Sequence, residues 1–330
     1  MSDSDNLWAL VLAAGDGRRL RGLTTTRSGL AIPKQFCSLE RGPSLLREAL
    51  GRAAAVAAPE RICAVVAGQH RHWWAGQLAD LDPANLIVQP QNRGTAIGLL
   101  LPLITLLERD PQSRLVVFPS DHHVRDEARL ARSLRYAAAP PQREWAEILL
   151  LGLEPTAPDP QLGYIVPHRL PGHTHHAVER FVEKPDAAGA QRLLEQGALW
   201  NTFIMAADGQ SLLRLFERRC PDIVTAVRDA VCGEYGAAPG AALAKLYETL
   251  PDLDFSRSIL QGQEQLLRVL PVPDCGWSDL GTPERVAQAL SALPRSSRET
   301  ARGAPSAAVL SLAAQSAALR TAPLAAAGAG

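Results

Sequence analysis

Lysine is nearly missing from this chain. Of 34 basic residues only three are lysines (Lys34, Lys184 and Lys245), and the other 31 are arginines. Acidic residues also number 34, so the formal net charge is zero. No global field therefore draws in nucleic acid or an acidic membrane surface. Aromatic residues make up 5%, and no basic stripe with interleaved aromatics marks a nucleic-acid face. No apolar run reaches the roughly 18 residues of a membrane-crossing helix. The five cysteines (Cys37, Cys63, Cys220, Cys232 and Cys275) form no CxxC pair. That argues against a zinc ribbon or a dithiol redox motif and fits reduced packing thiols. The opening residues 1–6 are polar and acidic, unlike a secretory signal. A cytoplasmic protein without nucleic-acid or membrane partners is expected.

What is present is ample apolar material, 46% of the chain. Short apolar runs at 7–14, 62–67, 86–88 and 115–118 read as strands, and the patterns at 44–57, 95–107 and 128–138 read as helices. Such alternation implies βαβ units in a mostly parallel sheet, whose ligands bind beyond the carboxyl ends of the strands. Later runs at 147–153, 163–166, 177–182 and 202–206 read as strands of a more mixed sheet. Helices at 208–218, 221–232 and 241–250 follow from the same patterning, with a lid over the crevice. One α/β catalytic domain over 1–292 is expected. An Ala-rich tail over 293–330 would be partly helical, at 307–319, or disordered.

The first strand ends in Leu12-Ala13-Ala14-Gly15-Asp16-Gly17-Arg18-Arg19-Leu20. Glycines at a strand end let backbone N–H groups approach phosphate oxygens, and the arginines supply positive charge. A dinucleotide fingerprint is excluded by Leu20 where its third glycine belongs, and a P-loop by Leu23 where its lysine belongs. Taken alone, the loop also suits a solvated basic turn. Pro33-Lys34-Gln35-Phe36 adds a lysine that a chain rich in arginine has kept. An ammonium is a compact point charge that a guanidinium fork does not replace at a crowded phosphate. Asp121 follows the strand Leu115-Val116-Val117-Phe118, and Asp279 sits in Gly276-Trp277-Ser278-Asp279-Leu280-Gly281. Two carboxylates with phosphate oxygens suit magnesium, although each aspartate alone also suits a turn or a helix cap.

Gly15-x-Gly17-x-Arg19-Leu20 followed by Pro33-Lys34-Gln35-Phe36 resembles the sugar-1-phosphate nucleotidyltransferases. The Pro-Lys-Gln-Phe form is similar to the mannose-1-phosphate guanylyltransferase branch. Further segments match in family order: Gln89-Pro90-Gln91-Asn92-Arg93-Gly94-Thr95-Ala96, Ser120-Asp121-His122, Leu162-Gly163-Tyr164-Ile165, Phe181-Val182-Glu183-Lys184-Pro185, Leu199-Trp200-Asn201-Thr202 and Trp277-Ser278-Asp279-x-Gly281. The resemblance implies a Rossmann-like three-layer α/β fold with a mostly parallel mixed sheet. It also implies transfer of a nucleotidyl group from an NTP, GTP first, to a sugar 1-phosphate, mannose 1-phosphate first. Arg19 and Lys34 would be catalytic. Ala13, Ala14, Gly15, Gly17, Gln89, Asn92, Gly94, Thr95 and Ser120 would bind the nucleotide. Gly163, Glu183, Lys184 and Asn201 would bind the sugar phosphate, and Asp121 and Asp279 a magnesium ion, with His122 and His123 left outside the metal site. Arg18, Phe203 and Ser258 depart from the family pattern, which leaves sugar preference open. The cupin or β-helical extension of some relatives is missing, so no isomerase activity is expected. A regulatory protein of the same fold, binding nucleotide or NDP-sugar without turnover, stays open as the rival, as do an enzyme of the family with another base or sugar preference and a homodimer.

Overall fold

A computed structural model of the chain describes residues 6–26, 29–39, 42–139, 148–233 and 240–292. The tail from 293 onward lies outside the described residues. The first half alternates as expected: β1 (Leu7–Ala13), the short α1 (Arg21–Thr24), α2 (Leu45–Ala54), β2 (Ile62–Ala67), α3 (Arg71–Trp74), β3 (Leu86–Gln89), α4 (Gly94–Arg109), β4 (Arg114–Pro119) and α5 (Glu127–Ala138). The second half runs β5 (Ile148–Leu153), β6 (Gly163–His168), β7 (His176–Glu183), α6 (Ala187–Glu195), β8 (Leu199–Asp208), α7 (Gly209–Arg219), α8 (Pro221–Cys232), α9 (Ala241–Thr249), β9 (Leu267–Val272) and α10 (Pro283–Ala292).

Among the described residues nine strands form one sheet in the order β3-β2-β1-β4-β8-β5-β9-β7-β6. The pairings β3–β2, β2–β1 and β1–β4 are parallel, as βαβ alternation requires. The second half is largely antiparallel, since β8 runs against β4, β5 and β6, and β7 runs against β6 and β9. Among the described residues only β5–β9 is parallel there. The mostly parallel description thus holds for the first half, and long β8 turns the sheet mixed. β9 was not expected from the sequence. Arg268 and Pro271 interrupt its apolar run, and proline in a run argues for an edge strand. Here the run lies inside the sheet, with Leu267 and Val269 fully buried.

Strand periodicity of two divides the core into two layers. Leu7, Ala9, Val11 and Ala13 pack with α2, α5 and α10 on one face. Trp8 and Leu10 pack with α4, α7 and α8 on the other. This completes the three-layer architecture. In register, Leu12 of β1 pairs with Pro119 of β4, and Ser120 N–H donates to the Leu12 carbonyl at 3.1 Å. The glycine loop and the Asp121 turn therefore leave the sheet side by side.

Candidate active site

The strand ends open into a cleft of about 310 Å³. Ala14, Gly15, Gly17, Arg19, Ser120 and Asp121 line it from β1 and β4. Gln89, Asn92, Gly94 and Thr95 line it from β3 and the start of α4. Gly163, Glu183, Lys184, Asn201 and Asp279 close the remaining walls. Lys34 reaches an adjoining cavity of about 370 Å³ shared with Arg19 and Asp121. Ala13 is the exception among the expected site residues. Its side chain is fully buried in the core, and its carbonyl accepts from Gln35 Nε2 at 3.1 Å.

Gln35 shows how the motif works locally. Its amide also donates to the Gly15 carbonyl at 2.7 Å, so one side chain pins both the strand end and the loop. Gly17 has φ 61°, and a Cβ there would lie 2.7 Å from Lys34 N. Only glycine lets the loop lie on the Lys34 backbone in that conformation. The packing sets Lys34, which is 4% exposed. Its Nζ lies 2.9 Å from Asp121 Oδ2 and donates to the Asp279 carbonyl at 2.6 Å. A buried ammonium requires such partners. Burial would raise the Asp121 carboxyl, but the Lys34 ammonium beside it, the His122 ring once protonated in acid and the Arg19 guanidinium outweigh it and hold it at about 2. Burial pushes His122 down to about 4, so its ring is neutral near pH 7. That ring meets Trp277 edge-on at 5.2 Å.

The two aspartate turns are joined through the backbone. His123 N–H donates to the Ser278 carbonyl and Ser278 N–H to the His123 carbonyl, both at 2.9 Å. Beneath them lies Arg52, 4% exposed. It donates to Glu127 at 2.9 Å, to Glu48 at 3.2 Å and to the His122 carbonyl at 3.1 Å. Asp279 accepts from Arg285 Nη1 and from Gly281 N–H at 3.1 Å.

At the wall formed by β6, β7 and β8, Lys184 Nζ pairs with Glu183 Oε1 at 2.6 Å. Gly163 sits opposite Glu183 in register, and a Cβ on it would lie 2.6 Å from Glu183 Oε2. Asn201 Oδ1 accepts from Phe203 N–H at 3.1 Å. Among the described residues the non-glycine positions with positive φ are Lys184 (49°), Phe203 (61°) and Leu280 (46°). All three stand in site segments, where strained backbone tends to collect. At the wall formed by β3 and α4, Gln89 is fully buried, and its Nε2 has no partner among the described residues. Thr95 Oγ1 accepts from Phe255 N–H at 2.8 Å, and a Cβ on Gly94 would overlap the Leu253 carbonyl. Gly94-Thr95 therefore docks segment 250–255 as well as opening α4.

Sequence reasoning missed Arg285, Arg52, Asp159, whose Oδ2 lies 3.3 Å from Arg285 Nη2, and Gln35 as working residues. Gln35 stood inside the Pro-Lys-Gln-Phe motif and was legible there. The other three act through partners distant in the chain or through a turn, which no local pattern displays.

The cleft invites comparison with known proteins. The nucleotidyl transferase family model matches residues 8–296. Xanthan biosynthesis protein XanB of Xanthomonas campestris pv. campestris (strain B100) is 33% identical over 278 residues, covering 83% of this chain and 57% of the relative. Mannose-1-phosphate guanylyltransferase RfbM of Salmonella typhimurium is 28% identical over 297 residues, covering 83% of this chain and 56% of the relative. The chain thus spans little more than half the length of these relatives. A solved structure described as mannose-1-phosphate geranyltransferase from Thermus thermophilus superposes with a TM-score of 0.71 at 28% identity, covering 88% of this chain and 80% of that one. Inositol-1-phosphate CTP transferase from T. maritima, at 15% identity and a TM-score of 0.54, shares the fold. Since the matched span takes in every strand but the first residue of β1, and every segment lining the cleft, the chain belongs to the nucleotidyl transferase family.

Proposed function

We propose that the protein transfers the guanylyl group of GTP to mannose 1-phosphate, giving GDP-mannose and pyrophosphate. One observation carries the reading. Motif segments from Ala14 to Gly281, remote in sequence, line one cleft and its neighbour around Lys34 and Asp121. The names of the 28% identical relatives support mannose 1-phosphate as acceptor. The unpaired buried amide of Gln89 supports a nucleobase that turns an acceptor towards it, and the guanylyltransferase named among the relatives supports guanine as that base. Leaving that donor unpaired costs about 1–3 kcal/mol, so a base that satisfies it is favoured strongly.

In this mechanism a phosphate oxygen of the sugar phosphate attacks the α-phosphorus in line. The bond from the α-phosphorus to the oxygen bridging to the β-phosphate breaks, and pyrophosphate leaves with the electron pair. The nucleophile is already ionised, so no general base is needed. The protein positions reactants and stabilises charge. Lys34 and Arg19 offset charge on the triphosphate, and Lys184 exchanges Glu183 for the sugar phosphate. Glu183 and Asn201 then face the sugar hydroxyls. Asp121 and Asp279 would hold magnesium. Carboxylate oxygens suit it, and Asp121 is 38% exposed at the cleft. The described residues contain no cluster of three or more His, Cys, Asp or Glu side chains able to cage a metal, which fits an ion that completes its shell with water and phosphate oxygens. When bound, the ion supplies charge neutralisation on the phosphates. Burial pushes the Cys37 and Cys63 thiols up to about 12 and makes them unreactive packing groups, and the free cysteines Cys37, Cys63, Cys220, Cys232 and Cys275 support a reducing, cytoplasmic setting. No helix among the described residues is long and apolar enough to cross a membrane.

The test is a substrate panel: each NTP against several sugar 1-phosphates, with pyrophosphate release measured with and without chelator. GTP with mannose 1-phosphate is expected to be fastest, and chelator to stop the reaction. Equal rates with UTP or dTTP would overturn the guanylyl assignment and leave the reaction class intact.

A further inference from the structure

Asp279 does not stand alone in the cleft wall. Arg285, in the first turn of α10, donates from Nη1 to Asp279 Oδ1. Its Nη2 lies 3.3 Å from Asp159 Oδ2. That second contact is an ion pair outside hydrogen-bond alignment, because Nη2 has no hydrogen-bond partner among the described residues. The Arg285 side chain is 14% exposed, so little water screens either contact. Arg285 N–H is anchored in turn by Thr282 Oγ1 at 3.3 Å. A rigid guanidinium fork can hold two carboxylates in one spacing, which a lysine cannot.

Asp159 organises the loop 154–162. Its N–H donates to the Tyr164 hydroxyl at 2.8 Å, and that hydroxyl donates back to the Asp159 carbonyl at 3.1 Å. Tyr164 is fully buried, so the loop is pinned to the sheet at this point. Asp159 Oδ1 accepts from Gln161 N–H at 2.8 Å, and its carbonyl accepts from Leu162 N–H at 3.4 Å. Gln161, Leu162 and Gly163 line the cleft with Glu183 and Asn201. One guanidinium therefore joins the turn that carries Asp279 to the loop that shapes the sugar end.

We propose that Arg285 is a positioning residue for the transfer reaction, orienting the Asp279 carboxylate and, through Asp159, holding loop 154–162 at a set distance from it. The kinetic part of this inference rests on the function proposed above; the structural part does not. With Asp279 Oδ1 committed to Arg285 and to Gly281 N–H at 3.1 Å, Oδ2 is the oxygen presented to a cation. Loss of the guanidinium releases the carboxylate and the loop together.

The test uses Arg285→Gln, Arg285→Lys and Asp159→Asn in the full chain. Hydrogen exchange is first followed in the protein without nucleotide, sugar or metal. The Gln161 and Leu162 amides should exchange about fivefold faster in Arg285→Gln and in Asp159→Asn, the scale of losing a partly buried ion pair. Steady-state kinetics then separate the two roles. Arg285→Gln should raise KM for mannose 1-phosphate and the divalent-ion concentration needed for half-maximal rate, with KM for GTP unchanged. Asp159→Asn should raise KM for the sugar phosphate alone. Arg285→Lys, which reaches only one of the two acids, should rescue part of one effect. Unchanged exchange in Arg285→Gln would overturn the tie, whatever Asp159→Asn does to the Gln161 amide that Asp159 itself holds. A fall in kcat with both KM values and the ion requirement unchanged would overturn the positioning role. A wild-type protein without turnover would count against the proposed function, and the exchange result would still decide the inference.

Discussion

At Lys34 the side chain is 5% exposed and lies 2.9 Å from Asp121 Oδ2. Replacing it by alanine should lower turnover at least about a hundredfold, the scale of losing a preorganised charge contact. Lys34→Arg should also be poor, because the fork does not fit the point-charge position. Near-normal turnover in a folded Lys34→Ala protein would remove Lys34 from the mechanism. The same contact has a signature in stability. Asp121 is held at about 2, below its ordinary 3.8. A depressed carboxyl stabilises the fold above its unfolded value and loses that contribution as pH falls through its folded value. The stability gap between wild type and Lys34→Ala, read by urea unfolding, should therefore be full at about pH 6 and shrink towards about pH 2. A gap that widens on acidification would contradict the pairing. Phe203 gives a second residue-level test. Its φ of 61° is a conformation that favours glycine, and its ring packs edge-on to Phe255 at 5.8 Å. Both Phe203→Ala and Phe203→Gly lose the ring, but only glycine relieves the backbone. Phe203→Gly should be the more stable of the two by about 1 kcal/mol, the reverse of the usual order. Thermal unfolding of the pair decides it.

Among the elements, α2 shows how a helix remote from the chemistry holds it in place. Ser44 caps it, accepting from Arg47 N–H at 3.2 Å, and Leu45, Leu46, Ala49 and Ala53 bury its apolar face. Arg52 projects beneath the paired aspartate turns. Arg52→Met should destabilise the fold by about 2 kcal/mol. That is less than the roughly 3–5 kcal/mol of breaking a fully buried pair, because Glu127 keeps 45% of its side chain exposed. Urea unfolding measures the loss, and a neutral result would show that the network holds nothing. Much of this level was legible in the sequence. The strand 62–67 and the helix 221–232 match the expected bounds, since periodicity and caps are local. β9 was not legible, because its burial comes from β5 and β7 on either side and its own Pro271 argues against it.

Across the whole molecule, the cleft was legible because its chemistry lies in short strings whose order survives folding. Asp121 and Asp279 were paired from their motifs, and the His123–Ser278 bridge brings their turns together. What holds the turns was not legible. The Arg52 network and the Arg285 tie are contacts between surfaces that only the folded sheet creates. Gly94 illustrates the difference. Its motif pointed to the nucleotide, but its φ of 80° and its contact with the Leu253 carbonyl add a packing role that no local pattern states. On the function proposed above, this assembled cleft makes a nucleotide-sugar bond rather than only binding nucleotide. The most direct measurement is product stoichiometry from labelled GTP, mannose 1-phosphate and magnesium, for wild type and Lys34→Ala side by side. The expected result is GDP-mannose and pyrophosphate in equal amounts, dependent on the sugar phosphate and at least about a hundredfold slower in the variant. Binding of GTP with no pyrophosphate from any sugar 1-phosphate, or pyrophosphate released without a nucleotide-sugar product, would contradict it.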